Sequence, residues 1–360
     1  MGARESSRGA LAALASALLL AALPAAEAGA ARTVVPPSLL GMQAWADPSA
    51  ADFERMRSAG VRTLRDNLSW SVVEPSRGDR LWERYDGVFE RAARAGVEMV
   101  PVLVGTPAFA ADIPQYPPRS SARGAWTAFV RDAVARYGPD GAFWRSRPEL
   151  TPRPVSAWQV WNEPNLPVWW NGRPNVDQYV ALLRQTRTAI RSRDARARIV
   201  LAGMPVTARD TRVPHYLRSL YRRRGVKRLF DAVAIHAFAG SAAGAVGVVR
   251  RSRAIMRAAR DSDTPIWVTE IGWGSRATAI PPHLSTDEAT QAARLAASLT
   301  ALARRQSELG VEKAFWFAWQ DRALVAGEQD WWAPNTGLFR ADGSAKPAWQ
   351  AFRRLGPRPR

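Results

Sequence analysis

From residue 39 onward, short apolar runs of strand length alternate with amphipathic helical stretches, and no other feature constrains the fold of this chain as strongly. The strand-like runs are Leu39–Ala44, Val61–Leu68, Val97–Val104, Ser156–Trp161, Arg198–Ala202, Ala232–His236, Ile266–Thr269 and Lys313–Ala318. Several are apolar on both parities, the pattern of parallel strands covered on both faces. Helical stretches separate them: Ala51–Ala59, Tyr85–Ala95, Trp126–Tyr137, Val176–Arg193, Val213–Arg223, Gly247–Ala259 and Thr286–Leu309. Gly60, Gly96, Gly225 and Gly310 each precede a valine, a helix stop followed by a strand start. Eight strands with helices between them in 360 residues predict a single (β/α)8 barrel rather than a doubly wound sheet. No Gly-x-Gly-x-x-Gly follows any strand, so dinucleotide binding lacks its main signal. The longer connections Thr106–Ala125 and Asp321–Thr336 are expected to wall the mouth.

The N-terminus is organised differently. Arg4 and Arg8 precede an apolar run from Ala10 to Leu23, and Ala26-Glu27-Ala28-Gly29 follows. That order predicts a signal peptide, residues 1–28, cut near Ala28, with export of a domain spanning 29–360. The run is short for a membrane span, so no stable membrane insertion is expected after cleavage. The chain has no cysteine, which removes disulfides, thiol catalysis and lipidation. The histidines are His215, His236 and His283, at no metal-ligand spacing, so neither a metal site nor another cofactor is expected. Formal charge is +19, almost all of it arginine. A net charge of this size fits nucleic acid, an anionic surface or an acidic polymer. Arginines spread over helices, as GC-rich codon usage would give, argue against a nucleic-acid partner, and a monomer is expected.

Two glutamates stand out by position. Trp158-Gln159-Val160-Trp161-Asn162-Glu163-Pro164-Asn165 puts Glu163 at the end of the fourth predicted strand. Ile266-Trp267-Val268-Thr269-Glu270-Ile271-Gly272-Trp273 puts Glu270 at the end of the seventh. In a barrel both ends open on one mouth, the face that carries active sites. A charge directly after an apolar strand is costly unless it has a partner or a task. Cleavage of a glycosidic bond needs such a pair, one carboxyl to protonate the leaving oxygen and one carboxylate on the anomeric side.

Trp161-Asn162-Glu163-Pro164 and Thr269-Glu270-Ile271-Gly272-Trp273 resemble the strand-four and strand-seven signatures of clan A glycoside hydrolases, with families 39 and 5 nearest. Val61-Arg62-Thr63-Leu64-Arg65, Trp70-Ser71-Val72-Val73-Glu74-Pro75, Asn335-Thr336-Gly337-Leu338-Phe339-Arg340 and Lys346-Pro347-Ala348-Trp349 extend the likeness over nearly the whole chain after the signal peptide. The resemblance implies a retaining enzyme with Glu163 as general acid/base and Glu270 as nucleophile. It further implies that Asn162 binds the sugar 2-hydroxyl and that Arg65 keeps Glu270 ionised. His236, expected either to contact substrate or to be a satisfied core residue, falls where these families carry His-x-Tyr, with the tyrosine bonded to the nucleophile. This chain reads His236-Ala237-Phe238, so that bond is missing.

Sixteen tryptophans are many for this length, and several fall at or after predicted strand ends. Their flat faces suit sugar rings. The expectation is that Trp316 or Trp319 forms the platform under the cleaved sugar, while Trp169 and Trp170 line the wall of an open cleft for a poly- or oligosaccharide. Glu74, Asp66 and Asp321 are expected to be structural. A transglycosylase on the same site and a barrel that binds carbohydrate without cleaving it are the alternative readings.

Overall fold

The computed structural model describes residues 35–171, 173–205, 212–278 and 280–356, without the side chains of 212–214. The expected signal peptide and its cleavage site lie outside the described residues. The barrel strands are β1 (Leu40–Gln43), β2 (Thr63–Ser69), β3 (Glu98–Val104), β4 (Ala157–Val160), β5 (Arg198–Val200, resuming at Met204–Pro205), β6 (Val233–His236), β7 (Ile266–Ile271) and β8 (Val311–Phe317). Neighbouring strands pair in parallel in chain order, and β8 pairs with β1. The first piece of β5 pairs with β4 and the second with β6. Single bridges Asn162–Gly203 and Val200–Ala232 close the seam, completing a (β/α)8 barrel.

Helices α1 (Ala50–Ser58), α2 (Glu83–Ala95), α3 (Arg123–Tyr137), α4 (Val176–Arg191), α5 (Arg212–Tyr221), α6 (Ala242–Ala258), α7 (Glu288–Arg304) and α8 (Pro347–Arg353) follow the strands in turn. Polar side chains start them where the sequence allows. Ser49 and Asp52 form a reciprocal capping box on α1, and Asn175, Ser241 and Asp287 cap α4, α6 and α7. Gly96 (φ 72°) ends α2, and Gly310 (φ 61°) ends the short helix before β8, both in the left-handed region that a side chain disfavours.

Strand parity fixes what reaches the barrel interior. Val100, Ala157, Val200, Ala234, Trp267 and Phe315 point inward and fill the lower barrel. Two residues further along their strands, Gln159, His236 and Phe317 therefore also point inward. Two departures from the sequence expectation matter. The fifth strand breaks at Leu201–Gly203, because the Tyr179 hydroxyl takes the Ala202 N–H and Gln159 takes the Leu201 carbonyl. In β7, parity from Trp267 would send Glu270 outward. The register with β6 slips after Val268, so that His236 pairs with Glu270. That bulge turns the Glu270 side chain into the barrel.

Candidate active site

Glu163 and Glu270 meet at the barrel mouth, with His236 between them. Nearest donor atoms of the three side chains all lie within 4.8 Å of one another. His236 Nδ1 is 2.8 Å from Glu163 Oε1, and its Nε2 is 3.3 Å from Glu270 Oε1. The second contact is too bent for a hydrogen bond, so Nε2 has no hydrogen-bond partner in the protein. Positive φ at Trp161 (72°) and Glu163 (43°) makes the sharp turn that aims the Glu163 side chain, and the Glu163 N–H donates to the Gly203 carbonyl. Gly203 is required there: a Cβ would stand 1.9 Å from His236 Nε2.

Arg65 organises the floor. Its side chain is 1% exposed; Nη1 donates to Glu270 Oε1 at 2.7 Å and to Gln43 at 2.6 Å, Nε to Gln159 at 2.6 Å, and Nη2 to Asn162 Oδ1 at 3.0 Å. All four acceptors are fixed by one guanidinium fork, a geometry lysine cannot reproduce. The contact with Arg65 leaves Asn162 its amide nitrogen to offer a ligand. Sequence reading missed Gln43 and Gln159. The available signal was parity, since each is the polar residue at an inward position of a nearly apolar strand.

Burial raises both carboxyls, and only Glu270 has a guanidinium in contact. At Glu163, with no cation in contact, burial lifts the carboxyl to about 7, opposed by the Arg65 charge further off and by a hydrogen bond from the Trp169 indole. Glu270 is raised as well, by burial first and by the Glu163 carboxyl beside it, against the Arg65 charge and hydrogen bond, which favour its ionised form. Burial takes the His236 imidazolium down to about 3, so the ring is neutral. With Glu163 protonated, its hydroxyl can donate to Nδ1 while the ring proton on Nε2 faces the Glu270 carboxylate. Among the described residues, Glu163, His236 and Glu270 are the one group with metal-ligating spacing. The Arg65 guanidinium already holds the Glu270 oxygen that a cation would need, so the donor set fits a metal poorly.

The tryptophan expectations need correction. Trp316 is fully buried, because Phe315 and Phe317 take the inward parity of β8; its ring points into the helix layer near Trp273. Trp319 is 2% exposed and lies behind the barrel wall against Phe339 and Trp349. Neither can stack on a sugar at the mouth. The aromatic wall is built instead from Phe317, Phe238, Trp332, Trp45 and Trp331. Phe317 contacts Trp45 (4.9 Å between ring centres) and Phe238 (6.1 Å), and Phe238 contacts Trp332 (4.7 Å). Phe238 thus exchanges the hydroxyl of a tyrosine for packing, and the contacts to Glu270 come from Arg65 and His236.

Trp169 reaches Glu163, but Trp170 is buried against Trp161 and Tyr179 and bonds Gln178. Trp170 lines a separate cavity of about 250 Å³ under the loop after β3, with Tyr116, Arg119 and Arg123. Glu74 is held by Trp70, Gly78 and Arg80, and Asp321 by Lys346 and the Gly337 N–H. Asp66 accepts from the Asn67 N–H and belongs to neither carboxylate.

A parallel barrel with two buried carboxyls at the C-terminal ends of β4 and β7, one of them held by an arginine, defines a class: the carbohydrate-active barrels. The chain belongs to the glycosyl hydrolase catalytic core family, which matches residues 140–352. No curated protein matches the sequence significantly. Among solved structures, a family 39 glycoside hydrolase from the gut symbiont Bacteroides cellulosilyticus WH2 superposes with a TM-score of 0.64 at 21% identity, over 89% of this chain and 63% of that one. This chain therefore spans less than two thirds of that protein. A monomeric β-xylosidase from Caulobacter crescentus CB15 gives 0.66 at 21% identity, over 89% of this chain and 69% of that one. The exo-β-1,4-mannosidase of Opitutaceae bacterium strain TAV5 gives 0.61 at 16%, over 88% and 58%. These likenesses bear out the barrel fold, and the family match bears out the resemblance to glycoside hydrolases.

Proposed function

We propose that this chain is a secreted, retaining glycoside hydrolase acting on a β-linked poly- or oligosaccharide by double displacement. One observation carries the reading: the nearest oxygens of the two carboxyls lie within 4.8 Å of each other, which favours the shorter of the two known separations. Retaining pairs stand about 5–5.5 Å apart, and inverting pairs about 6.5–9.5 Å, to make room for a water. Glu163, held protonated near neutrality by burial, donates its proton to the glycosidic oxygen. Glu270, kept ionised by Arg65, attacks the anomeric carbon and forms a glycosyl-enzyme. Glu163, now a carboxylate, takes a proton from water as that water displaces Glu270. The free amide of Asn162 donates to the 2-hydroxyl, and Phe317 with Trp332 offers the apolar surface for the ring. The xylosidase and mannosidase among the similar structures support a β-linked substrate. The apolar run Ala10–Leu23 supports export.

The test is an NMR time course of the chain lacking residues 1–28 on β-linked polysaccharides and aryl β-glycosides. The first-formed product should keep the anomeric configuration of the substrate. An inverted product overturns the mechanism. Saturable binding of oligosaccharides without any turnover would replace the enzyme with a carbohydrate-binding barrel.

A further inference from the structure

The charge of +19 is not spread over the molecule. Residues 176–260 carry nineteen arginine and lysine side chains against four aspartates and glutamates, an excess of fifteen out of the whole chain's nineteen. This segment supplies α4, α5 and α6, three consecutive helices of the outer layer, which pack side by side. Their inner faces are largely apolar and meet the barrel, so most of the described helix arginines are left on the outer wall, Arg253 being a buried exception. Arg193, Arg222, Arg224, Arg228, Arg250 and Arg251 are exposed there, and none has a carboxylate partner among the described residues. Three arginines of the segment do have carboxylates, in Arg191–Asp231, Arg198–Glu312 and Arg223–Asp177, but outside 176–260 acidic residues nearly balance the basic ones, as in Arg84–Asp47, Arg276–Asp330, Arg322–Glu328 and Arg340–Glu288. The contrast marks a local excess rather than a compositional background.

Position adds direction. The helices of a barrel run antiparallel to its strands, so their C-terminal turns lie at the end away from the mouth. Arg193 follows α4, and Arg222, Arg224 and Arg228 follow α5. The charge is therefore weighted toward the base of the barrel, and a partner bound there leaves Glu163 and Glu270 open.

The face also limits the chemistry of its partner. The large apolar residues exposed among the described ones, such as Ile113, Val168 and Val325, all lie outside 176–260. A surface that enters a lipid layer needs such side chains beside its cations. Tyr179, Tyr216, Phe230 and Phe238 of the segment are buried, and the half-buried Tyr221 packs on Phe230 and donates to Asp261, leaving no free aromatic platform among the described residues on which unpaired bases could stack. What remains is a convex wall of guanidinium forks, suited to planar carboxylates repeated along an extended chain.

We propose that the α4–α6 face is a docking surface for an acidic, carboxylate-bearing polysaccharide, separate from the cleavage site and turned away from it. The proposal rests on the carbohydrate reading of the mouth for the choice of polymer. It assigns the face a task the mouth does not have: holding the enzyme on an anionic matrix while the mouth samples other chains.

The experiment is affinity electrophoresis of the chain lacking residues 1–28 through gels containing polygalacturonate, with neutral xylan gels as reference. In parallel, sedimentation is measured with phosphatidylcholine/phosphatidylglycerol vesicles and gel shift with a 20-base-pair DNA duplex. A face variant joins Arg222→Glu, Arg224→Glu, Arg228→Glu, Arg250→Glu and Arg251→Glu. A control reverses five exposed arginines elsewhere: Arg77→Glu, Arg145→Glu, Arg173→Glu, Arg353→Glu and Arg354→Glu. Polygalacturonate is expected to retard the native chain in a salt-sensitive way, with apparent affinity at least tenfold weaker in the face variant and changed less than threefold in the control. Circular dichroism and aryl-glycoside turnover of the face variant should match the native chain. Equal losses in both variants would reduce the effect to net charge and overturn the docking face. Tighter binding to vesicles or DNA than to polygalacturonate overturns the choice of partner. A native chain retarded through this face yet inert on every glycoside would sustain the docking surface while removing the hydrolase reading.

Discussion

Gly203→Ala tests the proposed catalytic geometry from the side of the backbone. The added methyl would stand 1.9 Å from His236 Nε2, whereas ordinary contact begins near 3.4 Å. The ring must therefore retreat by about 1.5 Å. His236 is fully buried and pinned at Nδ1 by Glu163 at 2.8 Å, so retreat breaks that bond. Losing a hydrogen bond to an ionisable group costs about 1.5–3 kcal/mol, a factor of roughly 10 to 150. A displaced acid by itself can cost about 10²-fold. The expected loss in kcat on a substrate with a poor leaving group is thus about 10²-fold. Stability should fall by about 1–3 kcal/mol from overpacking. The assay is a double-mutant cycle of Gly203→Ala, His236→Ala and their combination, followed by steady-state kinetics and urea denaturation. Removing the imidazole removes the clash, so the double variant should resemble His236→Ala alone, with a coupling in stability equal to the Gly203→Ala effect itself, about 1–3 kcal/mol. Additive effects, or a Gly203→Ala variant with native kcat and stability, would refute the argument that Gly203 exists to seat His236.

Three further outcomes follow from the same geometry. Azide should restore turnover of an aryl glycoside to Glu163→Ala with retained configuration and to Glu270→Ala with inverted configuration; the opposite assignment reverses the proposed roles. Glu163, raised in the folded state to about 7, binds a proton that the unfolded chain releases near its ordinary 4.5, so the native state is the more protonated between those values. Stability should therefore decline as pH rises through that window, by about 3 kcal/mol in all, and Glu163→Gln should flatten the decline in denaturation curves. The alkaline limb of kcat/KM should fall near pH 7 for the same reason, and a limb unmoved by Glu163→Gln assigns it to another group. Phe317→Leu should lower kcat/KM with little loss of stability, whereas Trp316→Leu should cost about 2–4 kcal/mol in stability and leave KM unchanged; the reverse pattern would return the platform to Trp316.

What the sequence determined by itself is local. Apolar runs of strand length, helix stops at glycine and residues such as Glu163 directly after a strand depend on near neighbours in the chain, and residue type alone makes each of them legible. The barrel follows from their order, and its order brings the ends of β4 and β7 to one mouth. Tertiary structure decided which way side chains point and what meets across the barrel. Trp316 and Phe317 are adjacent in sequence and equally aromatic, yet only the packing of Phe315 against the lower barrel tells which parity faces in. One slipped residue in the β6–β7 register turns Glu270 inward, and no propensity marks it. His236 lies between two glutamates because Gly203, from a different strand, leaves room for its ring. The arginines of α4, α5 and α6 look scattered along the chain and become one surface only when three helices stand side by side. Each of these depends on contacts between segments far apart in sequence, where the energy resides in shape and distance rather than in residue type.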